Sequence, residues 1–263
     1  MSLGVAVAIL VGSVPAGAAA AILLSRISPE SGEPNDTTRV VFTFLATAWA
    51  LVVAFVVFLA FNNYVKIKSS ASSEADAAKG VYLTAEAFSG PTEDLLQHDI
   101  VCYARSVIED DFPAMAEGRT GTAADDRVRQ IRIDLNRARV VGNKQTAAFR
   151  QLLTQLDARS TARNDRLEEA EPIVPAIVWV ALGLASVMIL GYSYAFASRK
   201  RSRFLQVTLG ATPTAMVVSI LVALIFLDTS GGAIEPTAMS RTLDLTERIA
   251  PNPRAAGPCE QTG

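Results

Sequence analysis

Histidine is almost missing from this sequence: His98 is the only one, and just two cysteines, Cys102 and Cys259, accompany it across 263 residues. So few metal-binding side chains, so widely spaced, cannot build a zinc cluster or a disulfide scaffold. An excess of positive charge is missing too. The 24 Lys and Arg residues against 26 Asp and Glu leave a net charge of -2, which excludes the basic stripe that a nucleic-acid surface needs. The chain also lacks a phosphate-cradling glycine loop, a nucleophile elbow and a zinc signature. The sequence therefore assigns no catalytic residue, no cofactor-binding residue and no metal ligand, and it points away from an enzyme.

Charge itself is absent from four long stretches. Half of the residues are hydrophobic, only 19% are charged, and the mean hydropathy is +0.30. Nearly all of the charge lies in residues 25–39, 66–172, 199–203 and the C-terminal tail. Residues 3–24, 40–64, 173–197 and 204–227 contain no ionisable side chain apart from tyrosine. Each reaches the roughly 20 apolar residues that cross a hydrocarbon core about 30 Å thick. A backbone inside lipid must satisfy its own hydrogen bonds, so each is a helix. Aromatic residues gather toward the ends, among them Phe42, Phe44, Phe61, Tyr64, Trp179, Tyr192, Tyr194 and Phe196, as an interfacial belt requires. A cleaved signal peptide is the rival reading of the first stretch, helped by the small residues 16–21. That stretch lacks a basic n-region, however, and is too long. The sequence thus predicts an all-α integral membrane protein of the cell membrane with four transmembrane helices, near residues 3–25, 40–64, 173–197 and 204–227. They form two hairpins, residues 1–65 and 173–228, flanking a helical extramembrane domain at 66–172. A polar tail, expected to be partly disordered, follows at 229–263.

The loop between the third and fourth spans holds Arg199, Lys200, Arg201 and Arg203 within six residues. Short basic loops stay in the cytoplasm, whereas long loops cross largely regardless of charge. This predicts that residues 66–172 and both termini face outward. Lys66, Lys68, Arg159, Arg163 and Arg166 count against it, since they also lie near span ends. With the domain outside, Cys102 and Cys259 share a compartment that permits a disulfide. Their distance in sequence gives no reason to predict one.

The middle segment reads as helical throughout. Leu96, Ile100, Tyr103 and Val107 repeat at +4, +3, +4 and form a one-sided stripe. Val128, Ile131, Leu135 and Ala138 form a second, and Ala148, Leu152 and Leu156 a third, leading into a polar stretch at 157–171. Breaks are expected at Ser89-Gly90-Pro91, at Pro113, from Gly118 to Gly121, and at Gly142-Asn143. Thr92 is the candidate cap of the helix that begins near Glu93 and Asp94. Spans two and three are expected to continue beyond the membrane as long helices. A domain this small buries little by itself, so a homo-oligomer is expected.

No span carries Asp, Glu, Lys, Arg or His in its interior, which argues against a proton-coupled transporter. A channel remains compatible, because a pore may gate through an apolar constriction. Thr208 and Thr212 are the hydroxyls a pore would use, although bonding between helices is the commoner role. Gly12, Ala16 and Ala20 form a ridge of small residues, offset by one from Ser13, Gly17 and Ala21, and both read as helix-packing surfaces. Pro15 and Pro213 read as bends. His98, beside Asp99, reads as a solvated surface residue. The acidic pairs Asp110/Asp111, Asp125/Asp126 and Glu168/Glu169 read as solvated helix faces rather than as a divalent-cation site.

The run Tyr103-Ala104-Arg105-Ser106-Val107-Ile108-Glu109-Asp110-Asp111-Phe112-Pro113-Ala114-Met115-Ala116-Glu117-Gly118-Arg119 resembles the most recognisable stretch of the bacterial bestrophin-like membrane proteins, domain of unknown function 4239. Asn35-Asp36, Arg163-Asn164-Asp165-Arg166-Leu167, Val174-Pro175-Ala176-Ile177-Val178-Trp179 and Gly231-Gly232-Ala233-Ile234 agree with it. Phe112 departs from the tryptophan common there, and Asp228-Thr229-Ser230-Gly231 lacks the usual Pro-Phe. The resemblance implies kinship with bestrophins, which are oligomeric anion channels with a helical domain beyond the membrane. Their arrangement would put that domain in the cytoplasm, against the orientation read from the basic loop. Two functions therefore stand: a membrane-anchored oligomeric interaction or structural protein, and an oligomeric channel for an inorganic anion. The expected partners are the lipid bilayer and further copies of the chain, with no nucleic acid.

Overall fold

The computed structural model describes residues 8–9, 11–13, 15–17, 19, 22–23, 36–195, 203–228, 234–249, 252, 254–255 and 257–259. Among them there is no strand; every regular element is a helix. In chain order these are α1 (Asp36–Ala85), α2 (Pro91–Ser106), a π-turn (Val107–Asp111), α3 (Phe112–Ala116), α4 (Ala123–Arg137), α5 (Gly142–Glu169), α6 (Ala176–Ala195), α7 (Arg203–Asp228) and α8 (Thr237–Ile249). The chain divides into two units, residues 1–62 with 172–229, and residues 63–171 with 230–263.

The first unit is the apolar one. Three helices among the described residues are long and apolar enough to cross a membrane: α1 from Arg39, α6 over Ala176–Tyr194, and α7 over Ala211–Asp228. The expected first span falls largely outside the described residues, although its described positions between 8 and 23 are helical. The basic loop lies outside them as well. Trp49, Val53 and Val56 of α1 pack with Leu182 and Ile189 of α6 and with Val217 and Leu224 of α7. Outward of this core, Phe44, Phe55, Phe58, Leu184 and Val187 are all more than half exposed, an apolar surface suited to lipid.

Of the two small-residue ridges, the one made by Ser13 and Gly17 is buried, whereas Gly12 and Ala16 are exposed. A Cβ at Gly17 would lie 2.6 Å from Thr214 Oγ1. The absent side chain is what lets the backbone approach α7. Thr214 in turn shares a hydrogen bond with Tyr194 Oη at 2.5 Å. Thr208 and Thr212, the hydroxyls a pore would use, are exposed in the single chain. α7 continues through Pro213.

At 50 residues, α1 would measure about 75 Å, far more than a bilayer needs. Span two therefore runs on as a long helix, as expected. Span three does not: Pro172 and Pro175 separate α5 from α6, because each lacks the N–H that would continue the ladder. Asp228 closes the gap. Its Oδ1 accepts from the backbone N–H groups of Ile173 at 3.1 Å and Val174 at 3.0 Å, and its Oδ2 accepts from Trp179 Nε1 at 3.3 Å.

The second unit is a helical domain whose core realises the sequence stripes. Leu96, Ile100, Tyr103 and Val107 are all at most 3% exposed, and Ile131, Leu135, Leu152 and Leu156 are buried with them. Thr92 does not cap α2. Gly90 occupies the N-cap position at φ 71°, with Pro91 opening the helix, since a positive φ suits glycine and a fixed φ suits the first helical turn. Pro113 does not break the chain either; it stands in the first turn of α3, directly after the π-turn. Within 229–263, expected as a polar tail, the described residues include α8 and, from Asn252 to Cys259, return to α2.

That return is closed covalently. Cys102 and Cys259 form a disulfide with their Cα atoms 5.5 Å apart. The sequence left this bond unpredicted because nothing in it signals that the tail folds back. Asn252 donates to Asp94 and Gln97 at 2.9 and 2.8 Å, and Arg254 pairs with Asp94 at 2.8 Å. Arg105 donates to the Gly257 carbonyl at 3.1 Å. His98 is accordingly half-buried rather than solvated, with Nδ1 3.1 Å from the Ala255 carbonyl and Nε2 3.5 Å from Cys102 Sγ.

Candidate functional site

Within the helical domain, the apolar stripe of α5 does not stop at Leu156. It continues at +3, +4 and +3 to Arg159, Arg163 and Arg166, which are 1%, 6% and 0% exposed. Three guanidinium groups thus project from one helix face into the core. Burying such ions is favourable only when partners and hydrogen bonds replace the lost water. Glu74 of α1, Asp111 of the π-turn and Asp125 of α4 supply most of them.

Arg163 grips Asp111 side-on, with Nε to Oδ2 at 2.7 Å and Nη2 to Oδ1 at 3.1 Å. Its Nη1 reaches Asp125 Oδ1 at 2.7 Å, and its Nη2 reaches the Gly121 carbonyl at 3.2 Å. Arg166 takes Glu74 in the same bidentate way, at 2.7 and 3.4 Å, and also donates to Asp111 Oδ2 at 3.0 Å. Asp111 therefore bridges two arginines. Tyr103 Oη donates to Glu74 Oε1 at 2.5 Å. The arginines also lie over rings, Arg159 over Tyr103 at 4.5 Å and Arg166 over Phe112 at 4.7 Å, a stacking suited to a weakly hydrated planar cation. Arg159 Nε has no hydrogen-bond partner among the described residues.

The electrostatics follow from this geometry. Burial opposes the charge on Arg163, but the hydrogen bonds and charge of Asp111, with Asp125, outweigh it and raise its pKa above the ordinary value. Arg166 is raised in the same way, burial being overcome by Glu74 and Asp111. Burial, reinforced by the neighbouring Glu74, pushes the Tyr103 phenol up and keeps it protonated. The site is an ionised lattice with a neutral tyrosine at one edge.

The π-turn explains how Asp111 enters it. One wider turn shifts the register after Val107, so the next residues face where an α-helix would not send them. Asp111 becomes fully buried. Its neighbour Asp110 instead accepts from the backbone N–H groups of Thr122 and Ala123 at 2.9 and 3.0 Å. Gly121 must stay small, because a Cβ there would lie 2.5 Å from Asp111 Oδ1.

The acidic pairs thus need correction. Asp111 is core, Asp125 is an ion-pair partner, and Glu169 accepts from Ser70 Oγ at 2.9 Å while its carbonyl accepts from Asn63 at 2.6 Å. The solvated-face reading fails for Asp111, because helical period alone does not reveal where charges pair, whereas Asp125, 56% exposed, and Glu168 do lie at the surface. Glu74 carries no signal of its pairing in the sequence, and Arg159, Arg163 and Arg166 read there only as positive charges near a span end, two of them within the family-like run 163–167. The available signal was the continuing +3/+4 spacing through the arginines.

Two of the stretches that carry the family resemblance, residues 103–119 and 163–167, supply Tyr103, Asp111, Phe112, Arg163 and Arg166 of this lattice. Among curated proteins none matches the chain. The family model of the bestrophin-like domain matches residues 11–230, more than four-fifths of the sequence. With three apolar helices among the described residues and this match, the chain is a membrane protein belonging to the bestrophin-like family.

Proposed function

We propose that this chain is an oligomeric, membrane-anchored interaction protein of the cell membrane that carries a rigid helical domain on the outer, oxidising face. The observation that supports this best is the Glu74–Arg166–Asp111–Arg163 lattice. Its buried carboxylates are engaged with arginines, which suits a fixed framework better than a site of proton transfer. The Cys102–Cys259 bond supports the outward orientation, since disulfides persist in oxidising compartments and are rare in the cytosol. The orientation also agrees with the basic loop at 199–203. Val141 and Leu153, exposed on the domain at 73% and 48%, are where a second copy would gain apolar contact.

Membership of the bestrophin-like family favours one further reading, an oligomeric channel for an inorganic anion. The two differ in one measurement. Purified protein reconstituted into chloride-loaded liposomes should release no chloride above empty vesicles if it is an interaction protein. A chloride flux that scales with protein content would establish the channel instead. Mass measurement of the same preparation in detergent should give a multiple of the chain mass.

A further inference from the structure

Where α1 meets the segment that opens α8, both within the helical domain, a cavity of about 460 Å³ is lined by Lys68, Arg241 and Glu235 together with Tyr64 and Thr237. Its volume falls in the range of small-molecule sites. The side chains of Lys68, Arg241 and Glu235 form no hydrogen bond or ion pair with any residue among those described. Two cations and one carboxylate, all solvent-exposed and without a partner among the described residues, thus line the same open cavity. Thr237 and Ala238 are the first residues of α8, whose N–H groups have no acceptor within their own helix and favour an anion.

The position along α1 gives the cavity its context. The uncharged part of α1 ends at Tyr64, an aromatic suited to the membrane interface. Lys68 stands four residues beyond it, about 6 Å along the axis. The headgroup layer outside the hydrocarbon core is roughly 5–7 Å deep on each side. A bilayer around that apolar stretch would bring Lys68 into its headgroup layer, and Ala71 and Ile234 add apolar walls to the cavity.

We propose that this cavity binds the headgroup of an amine-bearing zwitterionic phospholipid, of the phosphoethanolamine type. Lys68 and Arg241, with the first turn of α8, take the phosphate. Glu235 takes the primary ammonium, whose N–H groups supply charge-assisted hydrogen bonds that a quaternary amine lacks. An anionic headgroup without an amine leaves Glu235 unmatched and repelled.

The test is titration of the full chain, purified in detergent, with phosphatidylethanolamine, phosphatidylcholine or phosphatidylglycerol of identical acyl chains. Binding is read by native mass spectrometry, and soluble glycerophosphoethanolamine forms a separate arm. The ethanolamine lipid should bind tightest and the soluble headgroup much more weakly. Lys68→Gln with Arg241→Gln should lower the affinity for that lipid about tenfold or more. Glu235→Gln should keep binding but erase the preference over phosphatidylglycerol. Thr237→Trp fills the cavity without touching a charge and should block binding, which keeps the test decisive if the charge variants fold poorly. Equal binding of the three lipids, or lipid binding unchanged in Thr237→Trp, would overturn the proposal. Soluble headgroup binding as tightly as the lipid would replace it with a site for a free phosphoester.

Discussion

Arg166 and Glu74 meet side-on across 92 residues of sequence, Nε to Oε2 at 2.7 Å, with neither side chain more than 1% exposed. This contact ties α5 to α1, and it is why the domain depends on charges its own interior cannot solvate. Removing one partner of such a pair strands the other, at roughly 3–5 kcal/mol. Arg166→Ala should therefore lower the thermal stability of the purified protein sharply. The double change Arg166→Met with Glu74→Leu should restore a large part of the loss, because it strands fewer ions. If the double variant melts no higher than the single one, the pairing does not control stability.

The Cys102–Cys259 bond closes a loop of 157 residues. In the chain-entropy description such a closure stabilises by about 5 kcal/mol, with native strain subtracting from it. Reduction, or Cys259→Ser, should lower the melting temperature and expose the segment 252–259 to proteolysis. Unchanged melting on reduction would show that the hydrogen bonds of Asn252 and Arg254 hold the segment unaided.

Asp99 gives the domain a pH dependence. Burial, then the charge of the facing Asp134, raises its pKa from the usual 3.8 to about 7. The folded state thus keeps a proton that the unfolded chain releases near pH 4. Stability is full below that point, falls as pH rises toward 7, and levels off above it. The span corresponds to at most about 4 kcal/mol. Melting curves between pH 4.5 and 7.5 should show this decline, and Asp99→Asn should flatten it. A decline of equal slope in the variant would move the effect to another group.

The two glycines of the first span separate packing from permissiveness. Gly17 is buried against Thr214, whereas a Cβ at Gly12 meets nothing within 4 Å. Gly17→Leu forces apart stiff, hydrogen-bonded neighbours, for a loss of about 1–3 kcal/mol. Gly12→Leu should be close to neutral. Equal effects of the two changes would place a different ridge at the contact.

The apolar helices, the three stripes and the continuation of α1 were legible because uncharged length and helical period are local signals. Tyr103 and Leu152 sit where period alone puts them. The lattice was not legible, because pairing of Arg163 with Asp111 requires a register shift at the π-turn and a contact across 52 residues. Residues 157–171 read only as a polar stretch, yet Arg159, Arg163 and Arg166 simply prolong the buried stripe. The disulfide escaped for the same reason: two cysteines carry no record of the return path through α8 that joins them.

The helical domain is proposed to stand on the oxidising side of the membrane. The most direct measurement traps thiols by acid quenching of whole cells. A heavy maleimide is then added to the denatured protein, with and without prior reduction, and the gel shift is read. Cys102 and Cys259 should escape labelling without reduction, and both should be labelled after it. Two labelled thiols in the unreduced sample would contradict the bond in the cell and the outward placement built on it.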